Sequence, residues 1–61
     1  MQISWHARER MRERKVSDSQ VKQAVERGSK RPGSDNTVEC RCRGIKVVLS
    51  GNTVVTVCRE R

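Results

Sequence analysis

The stretch VECRCRGIKVVLSGNTVVTVC, residues 38–58, constrains the fold most, because it carries both strand periodicity and the turns that set its register. Val38, Cys40 and Cys42 alternate with Glu39, Arg41 and Arg43. That period of two places alternate side chains on opposite faces of a strand. Arg43-Gly44 and Gly51-Asn52 interrupt the pattern and suit tight hairpin turns. With those turns, Cys42 pairs with Ile45, Cys40 with Val47 and Val38 with Leu49. In the second hairpin Leu49 pairs with Val54, Val47 with Thr56 and Ile45 with Cys58. One face then carries Val38, Cys40, Cys42, Ile45, Val47, Leu49, Val54, Thr56 and Cys58 and should pack on the rest of the chain. The other carries Glu39, Arg41, Lys46, Val48, Ser50, Thr53, Val55, Val57 and Arg59. A slip of one residue would mix the faces, so this register is favoured. Val48, Val55 and Val57 form an exposed patch that could make a homodimer or take a partner.

In this register all three cysteines share the core face. Cys40 and Cys42 stand two apart on one strand, ~6.5–7 Å between Cα atoms, and Cys42 and Cys58 lie ~9.5 Å apart across the strand between them. Disulfides need Cα atoms within ~4.4–6.8 Å. A zinc site would need the usual C-x(2–4)-C spacing, which is missing. The three are expected to be free and to act as small buried hydrophobes, with neither metal nor cofactor.

Before residue 28 the period is helical. Ser4 can cap a helix over Trp5–Arg14, with Ile3, Ala7 and Met11 on its apolar side. Ser17 and Gln20 form an S-x-x-Q capping box, and Val16 with Val21 forms a hydrophobic staple for a second helix whose buried face is Val21, Ala24 and Val25. Gly28 stands where a left-handed residue would end it. The short link makes the two helices an antiparallel hairpin. Residues 28–36, GSKRPGSDN, read as a loop. The fold expected is a single α+β domain over residues 1–61, a two-helix hairpin packed on a three-stranded antiparallel sheet (α-α-β-β-β).

Fourteen Lys plus Arg against seven Asp plus Glu give a net charge of +7, which points to an acidic partner. RNA or another nucleic acid comes first, because each phosphate contact releases counterions, and an acidic protein comes second. There is no apolar run of ~18 residues to cross a membrane. The absence of a secretory h-region leads us to expect a cytoplasmic, reducing location.

His6, Arg10 and Arg14 recur every four residues along one stripe of the first helix. Cutting RNA without a metal needs a base for the 2′-hydroxyl, an acid for the leaving oxygen and cations for the phosphorane. His6 is the one side chain whose ordinary pKa lies near neutrality, and Arg10 and Arg14 could clamp phosphate. These are the candidate catalytic residues. Arg8, Arg12, Arg41, Lys46 and Arg59 are the candidate nucleic-acid contacts. The competing reading of the stripe is architectural, with the arginine stems covering the core. Trp5 falls off the stripe and is expected to be a partly buried cap on the core, with a base-stacking platform as the alternative.

The segments SWHARERMRERKVSDSQVKQAVERG and GIKVVLSGNTVVTV together resemble the family known as domain of unknown function 4258, small bacterial proteins opening with S-x-H-A-x-x-R-M-x-x-R-x-V/I-S. The resemblance implies an α-α-β-β-β domain and suggests kinship with small ribonuclease toxins. It carries over to His6, Ala7, Arg10, Met11, Arg14, Ser17 and Thr56. Members often have an aromatic residue after V-T-V, where this chain has Cys58. The function expected is a small RNA-binding domain with metal-independent endoribonuclease toxin activity as its furthest extension. The alternative is a non-catalytic interaction or homodimerisation domain.

Overall fold

Both glycine turns form where the alternation breaks. A computed structural model describes residues 1–60. Its elements in chain order are β1 (Gln2–Ile3), α1 (Trp5–Arg14), α2 (Asp18–Arg27), β2 (Ser29–Pro32), a 3₁₀ turn (Ser34–Asn36), β3 (Thr37–Cys42), β4 (Ile45–Ser50) and β5 (Thr53–Arg59). Arg43 and Gly44 both have positive φ, at 50° and 78°, as a type I′ hairpin turn requires. In the second turn Gly51 has φ 61° and Asn52 does not share the positive sign, the pattern of a II′ turn.

The sheet has five strands in the order β1-β5-β4-β3-β2, so the expected three-stranded antiparallel sheet is corrected to a mixed one. Ile3 runs parallel to β5 at Val54, and β2 pairs antiparallel to β3 from Ser29 opposite Arg41 to Pro32 opposite Val38. Residues 29–32, expected within a loop, therefore form an edge strand. They are exposed throughout, and an edge strand tolerates Lys, Arg and a terminal Pro without apolar alternation.

The β3–β4 register is the expected one: Cys42 faces Ile45, Cys40 faces Val47 and Val38 faces Leu49. The β4–β5 register is not. Leu49 still pairs with Val54, but Val48 then pairs with Thr56, Val47 with Val57 and Ile45 with Arg59. Val55 is the extra residue of a bulge, so Val55 and Thr56 together oppose Val48. The bulge turns Val57 inward and Thr56 and Cys58 outward. The gain is physical: a valine is buried in place of a hydroxyl that would have needed a partner.

The core lies between the helices and one face of the sheet. It gathers Ala7, Met11, Val16, Val21, Ala24, Cys40, Ile45, Val47, Val54 and Val57, with Ile3, Val25, Val38, Cys42 and Leu49 packed around it. α1 packs chiefly on β5, and α2 on β3 and β4. Burying each valine or isoleucine contributes about 1.5–3 kcal/mol.

The helix ends are fixed locally. The Ala7 amide donates to Ser4 Oγ at 3.1 Å. The Gln20 amide donates to Ser17 Oγ at 3.2 Å, and the Ser17 amide donates to Gln20 Oε1 at 2.8 Å. Lys15, in the left-handed region, ends α1. Arg59 closes the same end, its guanidinium donating to the Arg14 and Lys15 carbonyls at 3.1 and 2.9 Å. Gly28 ends α2 in extended conformation, φ −75° and ψ 168°, not in the expected left-handed one. Ser17→Ala removes half of the capping box and should cost about 0.5–2 kcal/mol. In a domain this small that lowers the melting temperature by several degrees. An unchanged melting temperature would place the start of α2 elsewhere.

Candidate nucleic-acid interface

α1 buries only Ala7 and Met11, which leaves most of its circumference to polar side chains. At ~100° per residue, two rows flank the buried edge. One row is His6, Arg10 and Arg14, as the sequence indicated. Arg10 donates to Glu13 Oε1, and Arg14 lies 3.9 Å from the same carboxylate. Glu13 thus sits between the two guanidiniums where a phosphate would have to enter. Such exposed pairs are worth about 0–1 kcal/mol, so a phosphate can displace the carboxylate at little cost.

The other row is Trp5, Arg8 and Arg12, spaced i, i+3, i+7. Trp5 is 70% exposed, which corrects the expectation of a partly buried cap. Its ring meets the His6 ring edge-to-face, with centroids 5.6 Å apart and planes at 75°. Arg8 reaches Asp18 only at 3.9 Å. Arg12 has no carboxylate within ion-pair distance among the described residues. The Trp5–His6 ring pair therefore heads both rows. The sequence signal was the W-x-x-R-x-x-x-R spacing, which escapes notice when Trp is assumed to seek the core.

The remaining candidate contacts do not join this surface. Arg41 and Lys46 are cross-strand partners on the open face of the sheet, on the far side from the helices. Arg41 is 3.6 Å from both Glu39 and Glu60. Arg31, opposite Glu39 on β2, adds a third base to that face. Arg59 points to the helix side and binds the end of α1.

The expected valine patch is broken, because Val57 is fully buried. Val48 and Val55 stay half-buried on the open face beside Thr56 and Cys58. The three cysteines are free, though Cys58 does not share a face with Cys40 and Cys42. Burial pushes the Cys40 thiol up against a smaller opposing effect of Lys30, which keeps it protonated and unreactive near neutral pH.

A shallow pocket lined by Gln20, Gln23, Cys42, Arg43 and Ile45 measures about 70 Å³, against ~300–1,000 Å³ for typical small-molecule sites. Among the described residues no three His, Cys, Asp or Glu side chains converge as ligands to one ion. No described helix is long and apolar enough to cross a membrane.

Neither curated proteins nor solved structures yield a match to the chain, so the kinship with ribonuclease toxins finds no support there. The family described as a domain of unknown function (DUF4258) matches residues 3–61, nearly the whole sequence, and the chain belongs to that family.

Proposed function

We propose that the chain is a small RNA-binding domain whose contact surface is the two exposed flanks of α1, on either side of Glu9 and Glu13. The observation that supports this best is the pair of rows on that helix, four arginines headed by an exposed Trp–His pair. Arginine forks suit phosphate oxygens, and arginines beside an exposed aromatic are the usual equipment for holding a nucleic-acid strand. Arg8, Arg10, Arg12 and Arg14 are the phosphate ligands, and His6 lies among them as a further donor. Arg41 and Lys46 raise the positive potential from the far side of the sheet without touching the same strand.

Binding is proposed ahead of cleavage. His6 would have to move the 2′-hydroxyl proton, yet no hydrogen bond among the described residues orients its ring, and a second acid is needed for the leaving oxygen. Titrating labelled single-stranded RNA at several salt concentrations tests the reading. Affinity should fall steeply with salt, with a log–log slope of about −0.7 per neutralised phosphate. Arg12→Gln should flatten that slope by about one contact. No binding at low salt would overturn the proposal in favour of an acidic protein partner. Cleavage of the RNA in the same assay, lost in His6→Gln, would add endoribonuclease activity to this reading.

A further inference from the structure

A chain with so few apolar residues would be expected to spend its largest one on the core. Only one aromatic residue of the Phe, Trp and Tyr class is present, and it is Trp5. The core closes without it, on valines, alanines, Met11, Ile45 and Cys40. Trp5 remains 70% exposed at the first position of a helix whose start is pinned by Ser4 Oγ. Its backbone is therefore fixed while its ring stays available, touching only the His6 ring among aromatic neighbours. Arg8 and Arg12 stand in line below it, one turn and two turns along the helix.

We infer that this row takes an unpaired strand: one base stacks on the Trp5 indole while Arg8 and Arg12 hold the phosphates that follow. The inference rests on the RNA-binding reading and names its substrate class. An exposed indole gains stacking only from a base whose π-face is free. In a duplex those faces are covered by neighbouring pairs, and recognition falls to shape, phosphates and 2′-hydroxyls. In a single strand every base offers a face, and arginines along the row track the backbone. A membrane surface is the other common partner of an exposed Trp beside basic residues. It requires a broad apolar helix face, and the outward side of α1 carries Glu9 and Glu13 among its arginines.

Trp5 is the sole tryptophan, so the fluorescence of the unmodified chain reads this one ring. A short single-stranded RNA should quench it and shift its emission. The duplex of the same length should bind more weakly and quench little. Trp5→Ala should keep the melting temperature, because the ring lies outside the core, and should lose roughly 5- to 100-fold in affinity for the single strand. Trp5→Phe should recover most of that loss. Unchanged fluorescence on binding, with full affinity in Trp5→Ala, overturns the inference and leaves RNA binding standing. Equal affinity for the duplex also overturns it. Quenching by anionic vesicles without quenching by RNA assigns Trp5 to a membrane surface instead. Absence of any RNA binding at low salt removes both this inference and the reading beneath it.

Discussion

Val57→Asp should abolish cooperative thermal unfolding, while Thr56→Asp should leave a folded domain. The two positions are adjacent, and straight alternation from Val54 predicts the opposite result. It would send Thr56 to the core and Val57 to the open face. The bulge at Val55 reverses both: Val57 is fully buried opposite Val47, and Thr56 is half-exposed opposite Val48. An aspartate at Val57 would have to bury an unpaired carboxylate or be driven neutral, at a cost of several kcal/mol. A single core in a chain of this size supplies only about 3–5 kcal/mol in total, so the native state is lost. At Thr56 the carboxylate reaches water, and the penalty is a strand-propensity change within about 1 kcal/mol. Circular dichroism melts of both variants decide the matter. A folded Val57→Asp beside an unfolded Thr56→Asp would restore the straight register and place Cys58 back in the core.

The parts of the fold that local chemistry determines were legible in the sequence. Arg43-Gly44 and Gly51-Asn52 are turns because glycine occupies positive φ there. Ser17 with Gln20 begins α2 because two orphan amides need acceptors. The faces of β3 and β4 followed from alternation with turn positions known. What escaped depends on the rest of the molecule. β1 is two residues long, and its pairing with β5 is visible only once α1 has returned the chain to that edge. β2 is an edge strand whose side chains bury nothing, so no hydrophobic period marks it. The bulge is a choice between two ways of filling the core. It is settled by burying Val57 in place of Thr56 and by bringing Arg59 under the open carbonyls of α1.

The candidate site divides in the same way. His6, Arg10 and Arg14 share a row because helical spacing requires it, whatever the tertiary structure. Glu13, three residues from Arg10, is readable as its partner for the same reason. The exposure of Trp5 was not readable. Helical spacing set Trp5 off the apolar stripe, but indole burial is favourable on general grounds, and only the finished core shows that it closes without the ring. Arg41 and Lys46 were read correctly onto the open face, but their separation from α1 by the sheet is a tertiary fact. Arg59 moved from candidate phosphate ligand to helix cap through the single-residue shift of the bulge.

Gly28→Ala should destabilise the domain by about 1–3 kcal/mol or more, and Gly28→Asn should do no better. The comparison separates two reasons for a glycine at the end of a helix. A left-handed cap needs positive φ, which Asn tolerates more readily than Ala. Gly28 instead has φ −75°, a conformation open to any residue. Taken alone, that would make Ala mildly stabilising, by about 0.4–1 kcal/mol, through the unfolded chain. The obstacle is space. A Cβ at Gly28 would collide with the Arg41 carbonyl oxygen, lie 2.5 Å from the Ala24 carbonyl oxygen and lie 2.9 Å from the Arg41 carbonyl carbon. All are backbone atoms, so no side chain can swing aside. The last turn of α2 and the first pair of the β2–β3 ladder would have to move apart, because Ser29 pairs with Arg41 directly after this residue. Overpacking of this kind costs about 1–3 kcal/mol and outweighs the entropic gain. Gly51 supplies the control: its φ is 61° and nothing lies within 4 Å of an added Cβ, so the loss in Gly51→Ala and Gly51→Asn comes from the positive φ alone, and Asn should lose no more than Ala. Urea denaturation of the four variants gives the pattern. Recovery of stability on going from Ala to Asn at Gly28 would mean that conformation, not the close approach of two backbones, is what the position requires.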